Sequence, residues 1–202
     1  KKALDSFFLK EQSDIKTNKV EDYSLLLLAS IENALMDPKC GYISAIPAML
    51  EKLKKSQQFR GSWKVYFGGK AYNRRDQFAT LCAMRTIAEA QAAGLCRLSP
   101  EEKAKTDSYL KTELLNVKKG EKIQQVFLRE SWILYILMLL DDNGEIPDYA
   151  RSKLDPHVET VMKLKKELPP SLLGAHLLLL TLHRSGDRRA VTVSRKLMQL
   201  YN

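Results

Sequence analysis

Apolar residues return every three or four positions along most of this chain, with polar and charged residues between them. This spacing puts the apolar side chains on one face of an α-helix, so it predicts one helix after another. Alternating patterns, which are typical of strands, are nearly missing, and the one short candidate is Trp63–Phe67. The periodicity is clearest over residues 76–93, whose apolar face holds Phe78, Leu81, Cys82, Met84, Ile87 and Ala88. The chain is therefore predicted to be all-α.

Turn residues and caps divide the pattern into about eight helices. The predicted ranges are 22–36, 42–56, 76–93, 100–115, 122–140, 148–166, 171–184 and 187–200. Pairs of helices recur about every 40 residues, which predicts antiparallel α-hairpins arranged as a solenoid, an α/α toroid or a partial toroid. The period does not match a tetratricopeptide repeat cleanly, although the last hairpin resembles one such unit. We expect residues 1–202 to form a single helical domain, which is a fragment of a larger multidomain protein.

Several helix ends carry recognisable signals. Ser99 and Glu102 have the spacing of a capping box, in which each side chain bonds to the backbone of the other residue. Gly94 stands where a helix commonly ends in a left-handed conformation. Pro156 is expected to break the helical region 148–166, because proline removes one hydrogen bond inside a helix.

One segment, Trp132–Leu140, is apolar on every side. A helix without a polar face is surrounded by other helices, so this one should be central. It is the longest apolar run in the chain and is far shorter than the ~20 residues that cross a bilayer. No membrane span is therefore predicted.

The composition agrees with a folded globular protein. Of the 202 residues, 45% are hydrophobic and 28% are charged, so a core can form without disulfide bonds. The three cysteines, Cys40, Cys82 and Cys96, do not make a disulfide framework, and their odd number leaves at least one thiol free within the chain. Cys82 falls on the apolar face of a predicted helix, where a buried thiol is expected.

The net charge of +9 is compatible with an acidic protein, a nucleic acid or an anionic surface as partner. Most bases alternate with acids along the helices, as they do on ordinary solvated faces. The exception runs from the end of one predicted helix through a loop at residues 57–75. It has eight bases and no acid: Lys52, Lys54, Lys55, Arg60, Lys64, Lys70, Arg74 and Arg75. Five aromatic residues lie among them: Phe59, Trp63, Tyr66, Phe67 and Tyr72.

Three interpretations of the loop 57–75 stay open. In the first, Trp63 and Phe67 fill a junction between hairpins while the bases face water. In the second, the loop binds a protein partner, because aromatic and arginine side chains concentrate binding energy. The residues predicted for that contact are Trp63, Tyr66, Phe67, Lys70, Arg74 and Arg75. In the third, bases of a nucleic acid stack on the aromatic rings while Arg74 and Arg75 bind its phosphates.

The sequence offers few candidates for catalysis or metal binding. His176 and His183 can share one helix face and His157 stands apart, but no Cys–His spacing of a zinc site occurs. The acidic run 141–145 lacks the alternating ligands of a calcium loop, so a turn that ends a helix explains it better. Nucleophile, phosphate-loop and dinucleotide motifs do not occur in the sequence. We assign no catalytic, cofactor-binding or metal-binding residue, and we predict no cofactor and no enzyme activity.

The spacing of Gln57, Gly61 and Trp63 resembles the Gln–Trp motif of terpene-cyclase-like α/α toroids. Together with Gly68–Gly69 and the helix that follows, it is more similar to the thioester-domain region of bacterial α2-macroglobulin-like proteins. The resemblance extends over about residues 45–200 and includes Thr80, Met84, Ile87, Ala90, Gly94, Tyr109–Leu110, Glu130–Tyr135 and Leu172–Leu197.

The thioester of that family joins a cysteine to a glutamine in a Cys-x-Glu-Gln motif, which this chain lacks. Leu9 stands where the cysteine would have to precede Glu11–Gln12. The resemblance therefore implies a toroid-like scaffold and interaction domain without thioester chemistry. In this family such a domain would serve protease trapping or envelope defence, in the periplasm or outside the cell, with a protease or neighbouring domains as partner.

Two other functions stay open beside the one that the resemblance implies. An independent helical-repeat adaptor would bind an acidic protein or a nucleic acid through the basic loop. A fragment of an (α/α)-barrel carbohydrate-active enzyme would need two carboxylates that face each other across a cleft, and such a pair is invisible in the sequence when its members are far apart.

Overall fold

The computed structural model describes residues 19–37, 39, 43–65, 67, 77–116, 120–165 and 167–201. Within these ranges the chain forms eight α-helices, a short 3₁₀-helix at Ile43–Ala45 and no strand, which confirms the all-α prediction. The helices are α1 Val20–Met36, α2 Ile46–Lys55, α3 Gln77–Ala92, α4 Pro100–Leu115, α5 Ile123–Leu140, α6 Asp148–Lys163, α7 Leu172–Arg184 and α8 Arg189–Tyr201. The toroid arrangement of these helices stays a prediction.

The chain divides into two compact units, residues 1–109 and residues 110–202, and the division falls within α4. Unit 1 is built on α1 and α3, which pack closely together, and α2 contacts both of them. The α1–α3 contact is intimate enough for the hydroxyl of Thr86 to donate a 2.9 Å hydrogen bond to the carbonyl oxygen of Ser24. The largest fully buried side chains of this unit are Tyr23, Leu27, Ile31, Ile46, Leu50, Leu53, Trp63 and Met84.

Unit 2 is built around α5, which packs closely against α7 and contacts α6, while α8 packs on α6 and α7. Every residue from Trp132 to Leu140 is buried, which confirms the prediction of a helix enclosed by others. Glycine at position 174 permits the close contact of α5 with α7. A Cβ atom there would lie 2.8 Å from the Phe127 ring and 3.2 Å from the Leu128 Cα.

Two helix-end signals of the sequence are confirmed. The Ser99 amide donates to the Glu102 carboxylate at 2.7 Å, and the Glu102 amide donates to the Ser99 hydroxyl at 3.2 Å, which completes a capping box. After α3 the Gly94 φ is +73° and the Leu95 amide donates to the Ala90 carbonyl at 2.9 Å. This is the hydrogen-bond pattern of a Schellman cap.

The predicted break near Pro156 is wrong, because α6 runs without interruption from Asp148 to Lys163. Proline costs that helix one internal hydrogen bond. Buried side chains on both sides of Pro156 hold the helix against the rest of unit 2, and tertiary packing is the main source of helix stability in proteins. These side chains are Ala150, Leu154, His157, Val158 and Val161.

Candidate interaction surface

The segment that contains Gln57, Gly61 and Trp63 forms a tight turn directly after α2. The Gln58 amide donates a 2.8 Å hydrogen bond to the Ser62 carbonyl, and the Gly61 amide donates one of 2.9 Å to the Gln58 carbonyl. The Gly61 φ is +80°, a left-handed conformation that glycine adopts without strain. The two hydrogen bonds fix the shape of the turn 57–63.

This turn lies directly on α4. A Cβ atom at position 61 would be 2.5 Å from the Lys105 carbonyl oxygen, so only glycine fits there without movement of the backbone. The side-chain amide of Gln57 donates to the Gly61 carbonyl at 3.3 Å and to the Thr106 hydroxyl at 3.1 Å. Gln57 and Gly61 therefore join the end of α2 to α4 within unit 1.

Trp63 anchors the other side of the turn. Its side chain is 1% exposed, and its indole nitrogen donates a 2.9 Å hydrogen bond to the Leu53 carbonyl in α2. Its backbone amide donates a 2.9 Å bond to the Thr80 hydroxyl in α3. Trp63 thus connects two helices from inside the unit.

Phe67 is also buried, at 7% exposure. Its ring meets the Tyr23 ring edge to face with 5.0 Å between centroids, and the Lys52 ammonium lies 4.9 Å from the Tyr23 centroid. Near Lys64 the loop makes one isolated β-bridge with Lys19, without forming a strand.

Two of the residues predicted to contact a partner are therefore corrected, because Trp63 and Phe67 lie inside unit 1. The indole nitrogen of Trp63 needs a hydrogen-bond partner when buried and finds it in α2, ten residues earlier. The other predicted contact residues, Tyr66, Lys70, Arg74 and Arg75, lie outside the described residues.

Within the described part of the loop, residues 57–65 and 67, Phe59 is the aromatic residue that faces solvent. It is 87% exposed at the corner of the turn, between Gln58 and Arg60. Apolar periodicity does not reveal such a residue, because periodicity reports on helix faces. The local signal is its position two residues before Gly61, the left-handed glycine that closes the turn, since corner residues of a tight turn face outward.

The bases nearest to Phe59 have no acidic partner among the described residues. Lys55 and Arg60 are exposed and Lys64 is half-buried. The next base toward the helix, Lys54, lies 2.9 Å from Glu51 and 3.5 Å from Glu102. We call Lys55, Phe59, Arg60 and Lys64 the Phe59 surface.

Unit 2 contains a buried polar cluster between α5 and α6. Lys153 donates to the buried Glu130 carboxylate at 3.2 Å. The imidazole of His157 is 7% exposed and stacks on the Phe127 ring, with 4.9 Å between centroids. Its Nε2 atom lies 3.5 Å from a Glu130 oxygen, yet makes no hydrogen bond within the described part of the chain. Burial, together with the charge of Lys153, lowers the pKa of His157 to about 4, so the ring is neutral at pH 7.

A second buried ion pair joins α5 to the segments before it. The Arg129 guanidinium binds both carboxylate oxygens of Glu121, at 2.8 Å and 3.1 Å, and also donates to the Glu113 carbonyl. Such two-pronged pairing fixes the arginine in one orientation. All these contacts lie within unit 2, where the pair has a structural role.

A cavity of about 380 Å³ opens in unit 2 beside α6 and the start of α8. The Arg189 guanidinium in its wall donates to Asp155 at 2.7 Å and to Asp187 at 2.6 Å. Hydrogen bonds from Arg189 hold the pKa of the Asp187 carboxyl below its usual value. Because these charged groups bind one another, we read the Arg189 contacts as a clamp between α6 and α8 and assign the cavity no ligand.

The remaining candidates for chemistry have ordinary structural positions. Among the described residues no group of three His, Cys, Asp or Glu side chains could hold a metal ion, and His176 and His183 are exposed. The acidic run after α5 forms a turn, in which Asp141 accepts hydrogen bonds from the amides of Asn143 and Glu145. Burial raises the pKa of the Cys96 thiol to about 11, so it stays protonated at pH 7.

In the described part of the chain α5 alone is long and apolar enough to cross a membrane by length and composition. Its 18-residue window is 72% buried, as in the core helix of a globular unit. Comparison of the chain with protein-family models, curated proteins and solved structures gives no match.

Proposed function

We propose that the chain is a non-enzymatic interaction module that binds a partner protein through the Phe59 surface. The observation that carries the proposal is an 87% exposed phenylalanine on a turn held in one shape by hydrogen bonds. Single exposed apolar residues are common on protein surfaces. Phe59 differs because the turn 57–63 is tied to α2, α3 and α4, so the ring is presented from a rigid base.

Rigid presentation favours binding in two ways. Burial of a phenylalanine side chain contributes about 2–3 kcal/mol, and aromatic residues are common among those that dominate interface energy. The cost of ordering a flexible loop, which reduces affinity in many complexes, is small when the loop is already fixed. Trp63, Gln57 and Gly61 support the contact from within, and their role is to hold the turn rather than to touch the partner.

The resemblance to the thioester-domain region of α2-macroglobulin-like proteins gives this module a setting. In that setting it is a scaffold domain without a thioester, and its partner is a protease or a neighbouring domain. The complete gene tests this part of the proposal. Flanking β-sandwich domains and a signal peptide support it, and a reading frame limited to these helices rejects it.

The binding role itself is tested by photocrosslinking. A photoreactive phenylalanine analogue is placed at position 59, and at position 36 as control, because Met36 is 79% exposed on the end of α1. Each protein is irradiated in an extract of the organism that encodes the chain. We expect an adduct at position 59 that is absent at position 36.

Competition makes the result specific. An excess of unlabelled wild-type protein should suppress the adduct, while the Phe59→Ala protein should not. Equal suppression by both competitors, or the same adducts at positions 36 and 59, would show that Phe59 does not direct binding.

A further inference from the structure

We infer that the partner offers the Phe59 surface an acidic polypeptide segment whose apolar side chains cover the Phe59 ring. This inference rests on the proposed function and adds the chemistry of the partner. Its starting point is the arrangement of charge around one exposed ring.

Three bases flank Phe59 in the sequence, each within five residues of it. Lys55 is the last residue of α2, Arg60 follows Phe59, and Lys64 leaves the turn. The Gln58 amide bonds to the Ser62 carbonyl at the base of the turn, so Lys55 and Lys64 lie on the segments that enter and leave it. A ligand that covers the ring therefore meets an exposed base at Arg60, the next residue, with Lys55 and Lys64 on the flanking segments.

Three acids on α2 and α4 are paired with other bases. Glu51 and Glu102 pair with Lys54, and Glu101 pairs with Lys105 at 2.7 Å. This neighbouring group of three acids and two bases has a charge of −1, against +3 for the bases of the Phe59 surface. The net charge of the two groups together is positive. An approaching acidic segment is therefore attracted, and an approaching basic segment is repelled.

One exposed ring on the described part of the loop favours a polypeptide over a nucleic acid. Proteins that bind single strands present successive aromatic rings on which several bases stack, along a continuous basic groove. Here Phe59 is the one highly exposed aromatic residue of the described loop, since Trp63 and Phe67 are buried. One exposed ring flanked by bases fits a partner protein that covers the ring with an apolar side chain and places acidic side chains around it.

Fluorescence anisotropy with four labelled probes tests the inference. The first is a 12-residue peptide of Asp, Glu and Leu, and in the second Asn and Gln replace the acids. The third is a 12-residue peptide of Glu alone, and the fourth is a 12-nucleotide thymidine strand. We expect the acidic peptide with leucines to bind at least ~10-fold more tightly than each of the other three, and more weakly as salt rises.

Variants separate the two parts of the surface. Phe59→Ala should weaken binding of the first probe at least ~10-fold, because the leucines of that probe cover the ring. Binding of the poly-Glu peptide should change little. The double variant K55E/R60E should also weaken binding of the first probe at least ~10-fold, and the remaining affinity should depend less on salt concentration. The double variant R188E/R195E makes the same change of net charge at two exposed arginines of unit 2, and should bind like wild type.

Each other outcome has a defined meaning. If the neutral peptide binds as tightly as the acidic one and depends on Phe59, the acidic chemistry is wrong while the proposed function stands. Tighter binding of the thymidine strand with the same dependence on Phe59 assigns the surface to nucleic acid. Absence of peptide binding overturns the inference, and the crosslinking competition then decides separately whether Phe59 binds a protein.

Discussion

The indole nitrogen of Trp63 donates a 2.9 Å hydrogen bond to the carbonyl oxygen of Leu53, across the end of α2. The amide and the hydroxyl of Ser56, at the end of α2, also donate to this carbonyl, at 3.2 Å and 2.6 Å, so the indole adds a third donor from outside the helix. The backbone amide of Trp63 bonds to Thr80 in α3. Trp63 therefore links the end of α2 to α3 and fixes the turn that follows α2.

Trp63→Phe should destabilise unit 1 by about 0.5–1.5 kcal/mol, because one buried hydrogen bond is lost while Ser56 still donates to the Leu53 carbonyl and most of the ring volume stays. Trp63→Ala should cost about 3–5 kcal/mol, since a cavity is added to the lost hydrogen bond. Urea unfolding followed by circular dichroism measures both values. A Trp63→Phe protein as stable as wild type would show that the hydrogen bond contributes nothing.

Gly61→Ala tests the contact between the turn and α4. The left-handed backbone alone should cost about 1–2 kcal/mol for any residue with a Cβ atom. The clash with the Lys105 carbonyl should add about 1–3 kcal/mol, because the backbone of the turn or of α4 must move. Gly94→Ala is the matched control, since its φ is +73° and nothing lies within 4 Å of the added atom. Equal losses in the two variants, measured by urea unfolding, would contradict the close approach.

His157 should make unit 2 less stable in acid. The folded-state pKa, at about 4, lies below the value of about 6.5 of the unfolded chain, so the unfolded state binds more protons between these pH values. Stability is therefore fully present above pH 6.5 and falls as the pH drops toward 4. The contribution of His157 to this loss should be about 2–3 kcal/mol between pH 7 and pH 4.5.

His157→Gln removes the titrating group and keeps a polar side chain of similar reach. Urea unfolding at pH 7 and pH 4.5 should show a smaller loss on acidification for this variant than for wild type. The comparison cancels the pH dependence that both proteins share. Glu130 and Lys153, the charged groups that face the imidazole, are the same in both. An identical loss in both proteins would mean that His157 is protonated in the folded state.

Arg129→Met should destabilise unit 2 by about 3–5 kcal/mol, because it leaves the largely buried Glu121 carboxylate without its partner. The double variant Arg129→Met with Glu121→Leu should regain part of that loss, since no unpaired charge remains. A double-mutant cycle in urea measures the coupling between the two residues. Additive losses would show that the pair is not coupled, despite the 2.8 Å contact.

The helices and their ends were largely predictable, because they depend on nearby residues. The capping box of Ser99 and the left-handed Gly94 follow from spacing alone, and the structure confirms both. The continuation of α6 through Pro156 was not predictable in this way. It depends on buried contacts that residues such as Leu154 and Val158 make with the rest of unit 2.

The exposed side of the loop was harder to predict, because the spacing of residues in the sequence does not distinguish one aromatic residue of a loop from another. Trp63 is buried since its indole nitrogen meets a carbonyl in α2, and Phe67 is buried beside Tyr23. Phe59 stays outside because the turn closes beneath it. Which ring faces solvent is decided by the turn that closes at residues 58–62 and by the contacts of Trp63 with α2 and α3 and of Phe67 with Tyr23.

The complete burial of α5 has a consequence for the order of synthesis. The segment Trp132–Leu140 leaves the ribosome before its packing partner α7, which begins at Leu172. At about 5–20 residues per second, the apolar surface of α5 stays uncovered for about 2–10 s. During that interval the nascent chain is a substrate for chaperones and prone to aggregation, so the yield of folded unit 2 in cells should depend on translation speed between α5 and α7.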